Sequence, residues 1–377
     1  MIPSPRIAIV GVGNCASTLV QGISYYRRGA PIVGLMHPAL GGLAVGDIHL
    51  ACAFDVDKRK IGLPVGRAIF APPNNSRVFY PDPDDDGAVV HPGPLGDGVT
   101  AHLRDASLPQ HVEVDDRAGP TAPAAVVRVL RDTGANILVN YLPVGAQTAT
   151  ELYAQACLDA GVAMVNCIPV FIASDRCWQE RFSTARLPLI GDDVKSQFGA
   201  TIVHRQLVAL AENRGLSIDS TYQLNFGGNT DFLNMLERTR LLNKKISKTQ
   251  AVTSQLRKDF DERRVHIGPS DYVAFLADNK ICYIRLNARG FADLPMELDV
   301  KLSVEDSPNS AGVVVDAIRC AALALAKGIG GAIPAVSAAL MKHPPRQMAE
   351  PAAAAALEEW ITSFAPTPAP SSADRTA

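Results

Sequence analysis

Residues 6–17 read Arg-Ile-Ala-Ile-Val-Gly-Val-Gly-Asn-Cys-Ala-Ser, a stretch whose residue types can hold a pyrophosphate. Gly11 permits a tight turn, Gly13 lets the backbone approach a phosphate, and Ala16 takes the third small position of a G-x-G-x-x-G/A fingerprint. The helix that opens there offers N–H groups and a positive dipole end to an anion. Asn14 and Cys15, inside the turn, are candidate cofactor contacts. Asp55 is another, at the end of a plausible strand over 49–54. A carboxylate in that place accepts ribose hydroxyls and repels a 2′-phosphate, which favours NAD over NADP. It also suits a simple strand-end turn, and Lys58 and Arg59 close by argue the other way on the phosphate.

Cationic chemistry is spelled out further along. Asn-Lys-Lys-Ile-Ser-Lys-Thr (243–249) sets Lys244 and Lys248 four residues apart. On a helix both ammonium groups share one face and repel by a few tenths of a kcal/mol, a penalty that a bound anion removes. The same pattern fits a solvated basic helix face. Gly-Gly-Asn-Thr-Asp (227–231) precedes it, a turn able to aim N–H groups at an anion near Asn229 and Asp231. Glu-Asp-Ser-Pro-Asn-Ser (305–310) and Gly-Asp-Asp-Val-Lys-Ser (191–196) bring Asp306, Asp192 and Ser196 to element ends. Such residues serve equally as helix starts.

The elements that position these groups fall into two styles. A short apolar strand leads into the glycine turn, and a helix with Leu19, Val20 and Ile23 on one side follows. After a Gly/Pro-containing stretch and the strand 49–54, residues 71–98 read as a long surface loop, wholly or partly disordered. Then helices over 124–132, 146–160 and 175–184 alternate with strands over 136–141, 162–166 and 187–190. That alternation predicts a doubly wound parallel sheet of Rossmann type. Ligands of such sheets lie beyond the strand ends, so the loops 140–145 (Tyr141, Pro143), 166–170 and 191–196 should line the crevice. Beyond residue 215 strands alternate instead: 217–226, 280–286 and 295–304, the last with Met296, Leu298, Val300, Leu302 and Val304 on one side. Strict period two predicts one buried and one wetted face, so an inserted α+β domain is expected. The polar segments 231–242 and 248–260 read as its helices, and 310–327 as a helix returning to the first sheet. The resulting division is 1–200 for the nucleotide-binding part, 201–306 for the insert and 307–345 for the return. Residues 346–377 form a tail, disordered towards its Pro/Ser/Ala end.

Composition narrows the class. The chain has 377 residues, 47% hydrophobic and 20% charged, and a formal net charge of −2. That is ordinary for a globular protein and gives no general attraction to nucleic acid or an anionic membrane. Seven scattered cysteines with no C-x-x-C pair argue for reduced thiols in a cytoplasmic protein. The histidines show no ligand spacing, so no metal site is assigned. Asp316, Arg319 and Lys327 interrupt the longest apolar region, which argues against a membrane span.

Taken together, the glycine turn (11–17), Tyr-Leu-Pro-Val-Gly (141–145), Gly-Asp-Asp-Val-Lys-Ser (191–196), Asn-Phe-Gly-Gly-Asn-Thr-Asp (225–231), Lys-Lys-Ile-Ser-Lys-Thr (244–249), Glu-Asp-Ser (305–307) and Leu-Met-Lys (340–342) resemble the myo-inositol-1-phosphate synthase family in its shorter prokaryotic form. The resemblance runs from about Arg6 to Met341. It implies conversion of D-glucose 6-phosphate to 1D-myo-inositol 3-phosphate with tightly held NAD and no net redox change. In that chemistry the open-chain sugar is oxidised at C5 and the ketone acidifies C6. The enolate attacks the C1 aldehyde, and the ring ketone is then reduced. It also implies essential lysines at Lys244, Lys248, Lys280 and Lys342, and site carboxylates at Asp192 or Asp193, Asp231 and Asp306. Lys342 would move the C5 hydroxyl proton, oriented by Asp306. Lys244 and Lys280 would polarise the C1 oxygen, and Lys248, Ser196 and backbone near Asn229 would hold phosphate. A homotetramer assembled through the second sheet is implied as well. The competing expectation is an NAD-dependent dehydrogenase of a small phosphorylated or polar substrate.

Overall fold

The computed structural model describes residues 2–119, 123–237, 252–253, 260–268 and 271–364. Its first half alternates strand and helix. In chain order these are β1 (Arg6–Val10), α1 (Asn14–Arg27), β2 (His49–Asp55), β3 (Val90–Pro92), α2 (Pro123–Asp132), β4 (Ile137–Asn140), α3 (Gln147–Ala160), β5 (Ala163–Asn166), α4 (Arg176–Thr184) and β6 (Pro188–Ile190). Next come α5 (Ala200–Asn213), β7 (Ser217–Gly227), α6 (Thr230–Asn234), β8 (Val265–Ile267), β9 (Asp271–Tyr272), β10 (Asn279–Arg289) and β11 (Pro295–Glu305). The chain closes with α7 (Asp306–Ala326), β12 (Gly331–Ala332), α8 (Pro334–Leu340) and α9 (Glu350–Thr362).

The larger sheet has seven strands in the order β12-β6-β5-β4-β1-β2-β3, and every pairing in it is parallel. Strand order reverses between β1 and β4, which opens a crevice beyond their carboxyl ends. Successive residues of β1 point to opposite faces, and both faces are dry. Ile7 and Ile9 pack with α1 and α7, while Ala8 and Val10 pack with α2, α3 and α4. An unbroken apolar run is what burial on two faces demands. Helix α7 is long and apolar enough to cross a membrane, yet 78% of its most apolar 18-residue stretch is buried inside the protein. Its Asp316 and Arg319 form a fully buried pair, to which His37 adds a third member.

The smaller sheet follows the order β8-β7-β10-β11, with β9 also beside β7. Helix α5 covers one face: Ala200 meets Cys282 and Ile284, and Val208 and Ala211 meet Ile218, Leu286 and Ala288. Strand β12 then returns to pair with β6 of the first sheet.

Three expectations need correction. Segment 71–98 is ordered, and it supplies β3, paired in parallel with β2. Its acidic run is held by specific donors: Asp86 accepts from the Leu50 N–H and the Arg27 guanidinium, and Asp85 accepts from the Gly66 N–H. Second, the residues after 345 include helix α9, whose Leu357 is 3% exposed in the main core; residues 365–377 lie outside the described residues. Third, the apolar side of β11 is only partly buried within the chain. Met296 and Leu298 are 40% and 37% exposed. They share a face with Ala288 and Leu286, but β11 is the edge strand, and only its Val300 and Leu302 pack against the cluster that α5 builds. The expected helices 231–242 and 248–260 fall mostly outside the described residues; their start is α6.

Candidate functional site

The crevice over β1 and β4 continues into a cleft floored by β7 and β10 and bordered by the start of α7. On the β1 side it is built by backbone. Gly11 has φ +84°, and a Cβ there would lie 2.8 Å from the Tyr141 carbonyl oxygen. Only glycine fits such a turn at such an approach. Asp55 lines the cleft. Its Oδ2 accepts the Val12 N–H at 2.7 Å, and its Oδ1 accepts those of Val56 and Asp57 at 2.7 and 2.9 Å. Lys58 and Arg59 turn elsewhere, to Glu113 and Asp57. Lys60 turns in: its ammonium donates to Val12 O at 2.7 Å and Asn74 Oδ1 at 2.9 Å, 4.0 Å from Asp55. Burial lowers its pKa against the pull of Asp55.

Across the cleft the groups are charged side chains. Lys280 Nζ lies 3.0 Å from Asp306 Oδ1, and Lys342 Nζ lies 2.7 Å from Asp193 Oδ1. Burial disfavours the Lys280 ammonium, but Asp306 and, more weakly, Asp231 outweigh it and raise its pKa. Asp193 adopts φ +62°, sparsely populated for a non-glycine residue, and so aims its carboxylate at Lys342. Lys342 N–H donates to Asp193 O at 2.6 Å, which ties the two segments by backbone as well.

Asp278 joins the halves. Its Oδ1 accepts from Asn14 Nδ2 (3.0 Å), Asn229 Nδ2 (2.9 Å) and Ser307 Oγ (2.8 Å). Burial, then the charge of Asp306, pushes its carboxyl up to about 6 despite those donors. Asn75 reinforces the joint by receiving Asn14 Nδ2 at 2.7 Å and donating to Gly228 O at 3.1 Å. Cys15 sits among Asp278, Asp306 and Ser307; burial, then those carboxylates, pushes its thiol up to about 12, so it is an unreactive lining group. At the remaining wall, Ser196 stands beside the first turn of α5, where Gly199, Ala200, Thr201 and Ile202 line the cleft. A Cβ on Gly199 would lie 2.6 Å from that of Ser196. First-turn N–H groups lack partners within their helix and suit an anion.

Of the residues singled out from sequence, Gly11, Gly13, Asn14, Cys15, Asp55, Tyr141, Pro143, Ser196, Asn229, Asp231, Lys280, Asp306 and Lys342 all line this one cleft. Lys244 and Lys248 lie outside the described residues. Ala16 lies behind the turn and is fully buried. Asp192 requires correction: it is fully buried behind the wall. Its carboxylate accepts from Asn166 Nδ2, the N–H groups of Ile172, Ala173 and Ser174, and the Ser174 hydroxyl. Asp193 takes the place in the cleft instead, because adjacent residues of the loop point opposite ways. Asp193 also replaces Asp306 as the partner of Lys342, leaving Asp306 to Lys280. The side chain of Asn229 caps α6, accepting from Asp231 and Phe232 N–H. Sequence reasoning missed Lys60, Asn74, Asp278 and the first turn of α5. Only Gly199 before a helical run offered a signal.

A Rossmann strand order, a glycine turn and paired cations facing it define an enzyme on a nucleotide-binding fold. Residues 199–307 match the myo-inositol-1-phosphate synthase family. The chain is 51% identical to inositol-3-phosphate synthase of Mycolicibacterium smegmatis, over 94% of this chain and 97% of that one. It is 50% identical to inositol-3-phosphate synthase of Mycobacterium tuberculosis, over 94% and 95%. The crystal structure of Ari2 superposes with a TM-score of 0.77 at 36% identity, covering 96% of this chain and 99% of that chain. The chain belongs to the myo-inositol-1-phosphate synthase family and is an enzyme.

Proposed function

We propose that the protein converts D-glucose 6-phosphate to 1D-myo-inositol 3-phosphate with a resident NAD that is reduced and reoxidised within one turnover. The observation that carries this reading is the facing of two lysine–carboxylate pairs, Lys280–Asp306 and Lys342–Asp193, towards the glycine turn in one cleft. The glycine turn and Asp55 would cradle the dinucleotide. The anionic Asp55, with Lys58 and Arg59 paired elsewhere, favours a ribose without a 2′-phosphate. When bound, NAD supplies hydride acceptance and return. Lys342 would take and return the C5 hydroxyl proton, with Asp193 holding its ammonium in line. Lys280 would stabilise the oxyanion at C1 inside a site shielded from water. Ser196 and the first turn of α5 would hold the phosphate. Lys244 and Lys248 remain candidates for C1 and phosphate from the sequence pattern.

We read residues 1–200 and 307–345 as one nucleotide-binding part and 201–306 as its insert. The open apolar edge of β11 suits a homotetramer built on the second sheet. Seven free cysteines suit the cytoplasm. Incubation of the purified protein with glucose 6-phosphate and NAD tests the reading. Inositol phosphate should form with no accumulation of NADH. Steady NADH gain without inositol phosphate would instead identify a dehydrogenase.

A further inference from the structure

Helix α9 has had no part in the site so far, yet its first residue is bound directly beneath it. Glu350 Oε1 accepts from Lys195 Nζ at 2.8 Å and lies 3.3 Å from Arg205 Nε, the latter an ionic contact without hydrogen-bond geometry. Both cations are closed to water, with side-chain exposures of 2% and 1%. Lys195 also donates to Ala338 O at 2.8 Å, and Arg205 Nη2 donates to Met348 O at 2.8 Å. Arg205 Nη1 is buried without a partner. One carboxylate therefore serves two buried cations and offsets part of the cost of taking them out of water. The positive end of α9 favours the Glu350 anion.

Both cations lead straight to the cleft. Lys195 lies between Asp193 and Ser196, and Arg205 belongs to the helix whose first turn lines the wall. The facing run is stitched on by backbone: Val194 pairs with Met341, Lys195 N–H donates to Leu340 O at 2.9 Å, and Lys342 N–H donates to Asp193 O. The segment carrying Lys342 thus hangs between Glu350 and Asp193. Burial pushes the Lys195 ammonium down to about 8 against the pull of Glu350, with Arg205 and then Lys342 adding to the fall. Lys342 also faces Asp193 and Cys167, and its neighbour His343 stacks on Phe171.

We propose that Glu350 is a positioning residue for the reaction: by holding Lys195 and Arg205 it fixes the Asp193–Ser196 loop against the Lys342 segment and offsets the positive charge behind Lys342. This rests on the reading of Lys342 as the proton-transfer group. Removing the carboxylate takes from Lys195 and Arg205 their shared anchor, and the Lys342 segment loses its register against the Asp193–Ser196 loop.

The full-length protein is assayed with glucose 6-phosphate and NAD as wild type, Glu350→Gln, Glu350→Asp and Leu357→Ala. Glu350→Gln should lower kcat by about tenfold or more while the Kd for NAD stays within about twofold. Glu350→Asp should recover part of kcat. Leu357→Ala, on the same helix but in the core, should lower Tm and keep the wild-type kcat. Wild-type kcat in Glu350→Gln, or an equal loss in Leu357→Ala, would overturn the proposal. If Glu350→Gln fails to fold, Glu350→Asp decides alone: reduced kcat with NAD affinity intact supports it, and unchanged kcat overturns it. Absence of inositol phosphate in the wild type would instead refute the underlying functional reading.

Discussion

On the β1 side of the cleft the ligand-facing groups are backbone, held by Gly11 and by the three N–H groups that Asp55 accepts. On the far side they are side chains from segments remote in sequence: Lys280 and Asp306 from around the second sheet, Asp193 and Lys342 from the rim of the first. The first side needs one local conformation, so a single strand–turn–helix unit can supply it. The second needs opposed charges held at hydrogen-bond distance in a poorly hydrated place, and no single segment can do that. On the proposed function one side serves affinity and the other chemistry, and the two should fail separately.

The sharpest separation is expected at Lys342. Lys342→Ala should cut inositol phosphate formation by roughly a thousandfold, the scale of a lost general acid–base group, while calorimetric titration gives an unchanged Kd for NAD. Normal turnover would refute its assignment; a large loss of NAD affinity would erase the distinction between the two sides. Gly11→Ala breaks the opposite side. With the new Cβ 2.8 Å from the Tyr141 oxygen at φ +84°, NAD affinity should fall about a hundredfold, on the order of 3 kcal/mol. Raising the NAD concentration should recover turnover.

A third test concerns the support beneath the charged side. His204 is buried between α5 and β7, beside Thr221 and Gln223. Burial pushes its pKa down to about 4 from an ordinary 6.5. The unfolded chain therefore takes up a proton between pH 6.5 and 4 that the folded chain refuses. The stability this represents is complete above 6.5 and is lost as pH falls through that window, by at most about 3 kcal/mol. Denaturant titrations should show that decline in the wild type and a flatter curve in His204→Gln. The smallest effect is expected on the nucleotide side. Iodoacetamide at pH 8 should label exposed Cys177 before Cys15, which burial holds protonated. Rapid loss of activity through Cys15 labelling would give the glycine turn a nucleophile that its surroundings argue against.

Legibility followed the same division. The glycine turn, Asp55 and the alternation of 124–190 were readable because each signal is local: a φ requirement, a strand end, a hydrophobic period. The loops bearing Tyr141, Pro143 and Ser196 followed from strand ends alone. The pairing of charges did not. Lys342 was expected beside Asp306 and lies beside Asp193, because the backbone bridge between Val194 and Met341 has no trace in spacing. Asp192 and Asp193 are equivalent as letters; only the φ of +62° at Asp193 turns one carboxylate into the cleft and the other into a cage of donors. The acidic segment 71–98 and helix α9 were discounted on composition. Their order comes from partners far away in sequence, among them Arg27 for Asp86 and Lys195 and Arg205 for Glu350.

By itself the sequence determined a parallel nucleotide-binding sheet, its glycine turn, an alternating insert and which residue types would meet a phosphorylated sugar. These are consequences of backbone sterics and hydrophobic period, which act over a few residues. Tertiary structure decided which lysine meets which carboxylate, which half of the Asp192–Asp193 pair lines the cleft, and how the final helix reaches beneath it. Those depend on charges brought to about 3 Å from segments up to 155 residues apart, where distance sets the strength of the interaction and spacing in sequence carries no record of it.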